Sequence, residues 1–239
     1  MDTKNRKIAI ITGATGCLGS SVALKLVNEG YYVIGVGKKE DSRVTNLINK
    51  IGKNNCEFHF FDVASKSDVA SFFRKKVLGK GNLKLVVLCA GILKMSAVDR
   101  VTFLDWKRTI DTNISGIFYF LQESIKIMKK EREGLIILIG SRWGISGAKM
   151  AAAYSASKSA LRALTKSMQL EYSGTKIRCI LVSPGSILSK MSYSVKSNIK
   201  NDLIKANDIA NLIFYISETP NYVIFDEIVI KAFPYDLYN

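Results

Sequence analysis

The stretch Lys7-Ile8-Ala9-Ile10-Ile11-Thr12-Gly13-Ala14-Thr15-Gly16-Cys17-Leu18-Gly19 decides the fold. A short β-branched apolar run stops at a glycine-rich turn, and a helical apolar pattern starts at Leu18. Glycine allows positive φ in such a turn and lets backbone approach a pyrophosphate. The N–H groups of a helix N-terminus are free to meet that anion. A purely structural strand–turn–helix junction uses glycines as well, so the motif needs support from the rest of the chain.

Working outward, β-branched runs alternate with longer helical patterns. Strands are expected near Lys7–Thr12, Tyr32–Val36, Glu57–Phe61, Leu83–Leu88, Leu135–Gly140, Arg178–Ser183 and Glu227–Ile230. Helices are expected near Leu18–Glu29, Thr45–Ile51, Lys66–Val77, Phe103–Glu131, Ala151–Glu171 and Asn207–Ser217. This is the α/β class: a single doubly wound parallel sheet of Rossmann type with right-handed crossovers and helices on both faces. Ligands of such sheets sit beyond the carboxyl ends of the strands, where the loops at Thr12–Gly19, Asp62, Cys89–Gly91, Ser141 and Pro184 should gather. With no repeat, linker or low-complexity tract in view, residues 1–239 read as one domain with a short substrate lid near 186–206.

Composition excludes several classes. The apolar stretch Ile8–Ile11 is too short for a signal peptide, and no run is long enough for a membrane span. Cys17, Cys56, Cys89 and Cys179 are scattered without Cys-x-x-Cys spacing, which suits a reduced, cytoplasmic setting. His59, the single histidine, lies in the apolar run Phe58–Phe61 and reads as a packed strand residue; no metal site is expected. The net charge of +15 is anomalous. Its lysines are dispersed in pairs such as Lys38-Lys39, Lys75-Lys76 and Lys129-Lys130, a pattern that favours compositional bias over nucleic-acid binding.

Tyr154 and Lys158 are one helical turn apart and share a face. A carbonyl reductase needs an acid whose pKa lies near the working pH. A positive charge at roughly 4 Å contributes on the order of 4 kcal/mol at an effective dielectric of about 20, enough to bring a phenol from about 10 to about 7. The same spacing recurs at Tyr172 and Lys176, but there it spans Gly174, where a helix would end.

The ordered set of the glycine turn, Asp62-Val63, Cys89-Ala90-Gly91, Asn113 in Thr-Asn-Ile-Ser-Gly, Ser141, Tyr154/Lys158 and Pro184-Gly185 resembles the short-chain dehydrogenase/reductase family over nearly the whole chain. The resemblance implies that Tyr154 donates or accepts the proton and Ser141 hydrogen-bonds the substrate oxygen. It also implies that Lys158 binds the nicotinamide ribose and tunes the tyrosine, and that Asn113 holds a relay water. The cofactor would lie along Gly13, Thr15, Gly16, Cys17, Leu18, Gly19, Lys38, Lys39, Asp62, Val63, Cys89, Ala90, Gly91, Asn113, Tyr154, Lys158, Pro184, Gly185 and Ile187.

Three departures stand out. Cys17 occupies a position where the family usually has glycine, and the glycines at 13, 16 and 19 match its longer, nucleotide-sugar-modifying members. Gly16 is then expected to take over the close backbone approach, and the helix N-terminus to lower the Cys17 thiol pKa. Leu88-Cys89 replaces the usual Asn-Asn, although a small cysteine still packs there. Pro184-Gly185 is followed soon by the next helix, which leaves the lid short.

Position 37 carries no carboxylate for ribose hydroxyls, and Lys38 and Lys39 follow, so NADP(H) is expected before NAD. The leading expectation is an NADP(H)-dependent reductase or dehydrogenase of a carbonyl or secondary alcohol, active as a homodimer or homotetramer, with Arg142, Trp143, Met191 and Tyr193 near the substrate. A nucleotide-sugar epimerase or dehydratase and a non-catalytic nicotinamide sensor are the alternatives.

Overall fold

The computed structural model describes residues 6–40, 42–189 and 203–232. Strands β1 (Lys7–Thr12), β2 (Tyr32–Gly37), β3 (Cys56–Phe60), β4 (Asn82–Leu88), β5 (Glu133–Ile139), β6 (Lys176–Pro184) and β7 (Glu227–Ile230) form one sheet in the order β3-β2-β1-β4-β5-β6-β7. Every pairing is parallel. The order reverses between β1 and β4, which opens the crevice that doubly wound sheets use for ligands.

The sheet is covered on both faces, which is why its central strands read as continuous apolar runs. Alternate residues feed two cores. Ile8, Ile10, Ile34 and Val86 pack with Phe72, Phe120, Leu161 and Met168. These contacts lay α3 (Lys66–Phe72), α5 (Gly116–Glu131) and α7 (Ala152–Glu171) on one face. Ala9, Ile11, Val33 and Val87 pack with Val22, Leu26, Leu47 and Ile213. The second core therefore joins α1 (Cys17–Asn28), α2 (Ser42–Ile51) and α8 (Ala206–Glu218) on the other face.

The position of α8 departs from the uniformly right-handed winding expected from sequence. It links β6 to β7 in the same direction in which α7 links β5 to β6, yet it packs in the core of α1. That crossover has the opposite hand. The connection leaving β6 passes over the strand ends: Gly185 N–H donates to Ile230 O (2.7 Å), and Leu188 N–H donates to Ile204 O (2.9 Å). Part of the expected lid, residues 190–202, lies outside the described residues, and Met191 and Tyr193 with it.

Two expected helices are interrupted. The pattern over Phe103–Glu131 is α4 (Phe103–Ile110), a π-helical segment Asp111–Ser115, and α5; the pattern over Lys66–Val77 ends in a second π-helical segment, Phe73–Val77. A one-turn helix, α6 (Trp143–Ser146), was not foreseen. The Tyr172/Lys176 pair is divided as expected: α7 ends at Glu171, Gly174 takes φ +78°, and Lys176 begins β6.

Candidate active site

At the open end of the crevice, Gly13 takes φ +65°, and a Cβ there would lie 3.0 Å from the backbone of Ala90. Thr12 Oγ1 accepts the Ala90 N–H (3.1 Å), tying β1 to the strand across the switch point. A Cβ on Gly19 would lie 2.3 Å from Gly13 O, so only glycine lets α1 pack this tightly on the turn. Gly16 caps α1 without a side-chain hydrogen bond, and no acidic residue occupies the first turn. Its N–H closes the turn onto Gly13 O (2.9 Å). Cys17 and Leu18 open α1.

The expectation for the Cys17 thiol is corrected. Burial pushes its pKa up rather than down, because taking water from a thiol disfavours its charged form. Cys17 Sγ donates to Leu188 O at 3.3 Å, linking the glycine turn to the segment that crosses the strand ends.

Farther along the crevice, Lys38 pairs with Asp62 at 3.0 Å. Asp62 accepts the Ala64 N–H, which with Lys38 holds its carboxyl below the usual range against some burial. Both lysines are exposed, and Lys38 is engaged with Asp62. A Cβ on Gly37 would lie 2.6 Å from Thr15 Cγ2, so Thr15 fills the space that a side chain at 37 would need. Val63 backs onto Gly116, whose Cβ would lie 2.9 Å from Val63 O.

Asn113 lies in the π-helical segment and is fully buried. Its Oδ1 accepts the Ile92 N–H (2.8 Å), and its Nδ2 donates to Ile92 O (3.0 Å) and to Ser157 Oγ (3.0 Å). The π-turn accommodates these contacts by displacing the helical register, a distortion frequent at functional sites. Ile92 and Ser157 were not singled out from sequence; Ser157 had a signal in its place directly before Lys158. Gly91 leaves room above them: a Cβ there would stand 3.4 Å from Asn113 Oδ1 and 3.5 Å from Lys158 Nζ.

Ser141 follows β5, and its hydroxyl lies near enough to the Tyr154 phenol to favour the phenolate. Lys158 is 4% exposed, and its Nζ donates to Ile139 O at 2.7 Å. That ammonium stands 5.8 Å from the centroid of the Tyr154 ring. Burial brings the Lys158 pKa down to about 8, with half-buried Cys89 opposing; the Cys89 thiol is itself pushed up to about 12 by burial. The expected lowering of Tyr154 is therefore not present. Burial pushes its pKa up, and only Ser141 counteracts it. The lysine donates to a carbonyl, Ile139 O, and no hydrogen bond joins it to the phenol oxygen among the described residues.

Arg142 N–H donates to Pro184 O (3.0 Å), which ties the segment after Ser141 to the end of β6, directly before Gly185. Ile187 forms an isolated bridge with Ile204. Among the described residues no helix is long and apolar enough to cross a membrane, and no group of three or more His, Cys, Asp and Glu could hold a metal ion.

A family model described as short chain dehydrogenase matches residues 7–200. An uncharacterised oxidoreductase of Staphylococcus saprophyticus is 29% identical over 228 residues, covering 94% of this chain and 97% of the relative. The closed form of serine dehydrogenase complexed with NADP+ superposes with a TM-score of 0.85 at 22% identity, covering 93% of each chain. ElxO with NADP bound gives a TM-score of 0.83 at 25% identity, covering 94% of this chain and 96% of that one.

Proposed function

The chain belongs to the short chain dehydrogenase family of oxidoreductases, and from that premise we propose that it is an NADP(H)-dependent enzyme interconverting a carbonyl compound and a secondary alcohol. The observation that carries this reading is the pairing of two hydroxyls, Ser141 and Tyr154, close enough for the serine to favour the phenolate, with the buried Lys158 ammonium 5.8 Å from the tyrosine ring. Two hydroxyl donors converging on one point stabilise the charge that develops on a carbonyl oxygen. Tyr154 Oη gives its proton to that oxygen in reduction and takes it back in oxidation. Lys158, with a pKa of about 8, holds or releases a proton near neutrality and so can reset the phenol. Asn113 is a positioning residue: it fixes Ile92 and Ser157 around that lysine.

The crevice suits a dinucleotide. The first turn of α1 has no side-chain cap and no acid to repel a pyrophosphate. Gly91 leaves open space beside Asn113 and Lys158, and Lys38 and Lys39, directly after β2, supply positive charge for an adenosine 2′-phosphate. When bound, the nicotinamide supplies or accepts the hydride. The NADP bound in two structurally similar proteins supports the choice over NAD. A cytoplasmic homodimer or homotetramer goes with this reading, supported by the exposed Phe103, Leu104 and Phe118 on α4 and α5.

The test follows NADPH absorbance, beside NADH, over a panel of aldehydes and ketones, with Tyr154→Phe as control. That variant should lose about 10²–10⁴-fold in turnover while binding NADPH as before. Near-normal activity would remove Tyr154 as the acid.

A further inference from the structure

Trp143 touches both catalytic hydroxyl residues. Its backbone N–H donates to Ser141 Oγ at 3.2 Å, which occupies an acceptor position and leaves the serine O–H available as a donor. Its indole meets the Tyr154 ring edge-on, with centroids 6.0 Å apart and planes at 88°. A carbonyl oxygen that reaches both hydroxyls places its carbon beside Tyr154, so its substituents meet whatever flanks that ring. Here the flank is the indole.

The segment that carries the indole is held in place by backbone contacts. At Gly144 an added Cβ would lie 2.7 Å from Lys158 C and 2.9 Å from Lys158 O, so α6 rests directly on the helix carrying Tyr154 and Lys158. Gly147 then turns the chain away at φ +69°. Arg142 directly precedes α6, and its side chain forms no ion pair among the described residues.

We propose that the Trp143 indole is the wall on which the carbonyl substituent lies, so that the site takes ketones and aldehydes bearing an apolar alkyl or aryl group, in preference to small polar or anionic ones. This rests on Ser141 and Tyr154 being the catalytic hydroxyls. A large, rigid aromatic surface favours apolar partners through burial and offers no partner for a carboxylate. The serine dehydrogenase fold is shared, and the substrate class is different.

The experiment measures kcat/KM with NADPH for 2-butanone, 2-pentanone, 2-hexanone and acetophenone, with acetoacetate as the anionic arm and L-serine oxidation by NADP+ as the polar arm. Along the alkyl series kcat/KM should rise about fourfold per methylene buried. Trp143→Ala should flatten that rise to less than about twofold and leave NADPH affinity unchanged, while Trp143→Phe, which keeps an aromatic wall, should retain most of it. A flat series in the unmodified enzyme, a preference for acetoacetate or serine, or an unchanged slope in Trp143→Ala would each overturn the proposal. If Trp143→Ala does not fold, the unmodified enzyme and Trp143→Phe still decide. Tyr154→Phe separates the two readings: a dead Tyr154→Phe enzyme beside an unchanged slope in Trp143→Ala refutes only the role of Trp143. An active Tyr154→Phe enzyme refutes the acid itself.

Discussion

Replacing Lys158 by methionine should damage the catalyst and relieve the fold. Lys158 is 4% exposed, and burial brings its pKa from 10.5 to about 8. That difference corresponds to about 3 kcal/mol against the charged form. A lysine with a depressed folded pKa is a liability below that pKa. The penalty is full below about pH 8, fades as pH rises toward 10.5, and is absent above it, because in that window the unfolded chain binds the extra proton. Methionine removes the penalty but leaves Ile139 O without its 2.7 Å donor, a loss of about 1–3 kcal/mol. The cofactor-free variant should therefore be as stable as the parent, or up to about 2 kcal/mol more stable, at neutral pH. Urea unfolding of both proteins without cofactor, at steps from neutrality to pH 10.5, isolates the effect. The stability of the parent relative to the variant should climb by about 3 kcal/mol across the window. Cys89 and the other titrating groups are common to both proteins and largely cancel. Parallel curves would refute the buried, charge-penalised lysine. NADPH turnover should fall in the same variant, since no cation then stands by Tyr154.

Gly144→Ala should cost about 1–3 kcal/mol by overpacking, since its Cβ would lie 2.7 Å from Lys158 C; thermal unfolding reads this, and an unchanged midpoint would mean that α6 is loosely seated. Lys38→Ala should weaken NADPH binding by about 10- to 150-fold and leave NADH binding nearly as before, measured by fluorescence titration. Gly37→Asp alone should weaken both cofactors, because its Cβ meets Thr15 Cγ2 at 2.6 Å; NADH affinity should improve only when Thr15→Gly is added. Cys17, with its thiol pKa raised by burial, should react with iodoacetamide more slowly at neutral pH than the same cysteine in the unfolded chain, and more slowly again with NADPH bound. Faster labelling in the folded protein would contradict the thiol environment described above.

Much of this architecture is local and was legible in the sequence. The apolar β-branched runs give the strands, because a strand buried on both faces has no polar alternation. The glycine turn and the Tyr154–Lys158 face follow from spacing along one backbone. Other features depend on distant partners. The π-segment at Asp111–Ser115 follows from Asn113 being clamped on Ile92, a contact that helical periodicity does not encode. The face taken by α8 depends on where the connection after Pro184 runs. Lys38 meets Asp62 across neighbouring strands, and so is not the free cation that its sequence neighbours suggest. Helix-terminal position suggested a low thiol pKa for Cys17, and helical spacing suggested a tuned phenol for Tyr154; burial reversed both. The sequence by itself determined the strands, the positions of most helices and the family. The tertiary structure decided the protonation and the pairings of the site residues, because desolvation and charge depend on what surrounds a group in space, while periodicity depends only on its neighbours along the chain.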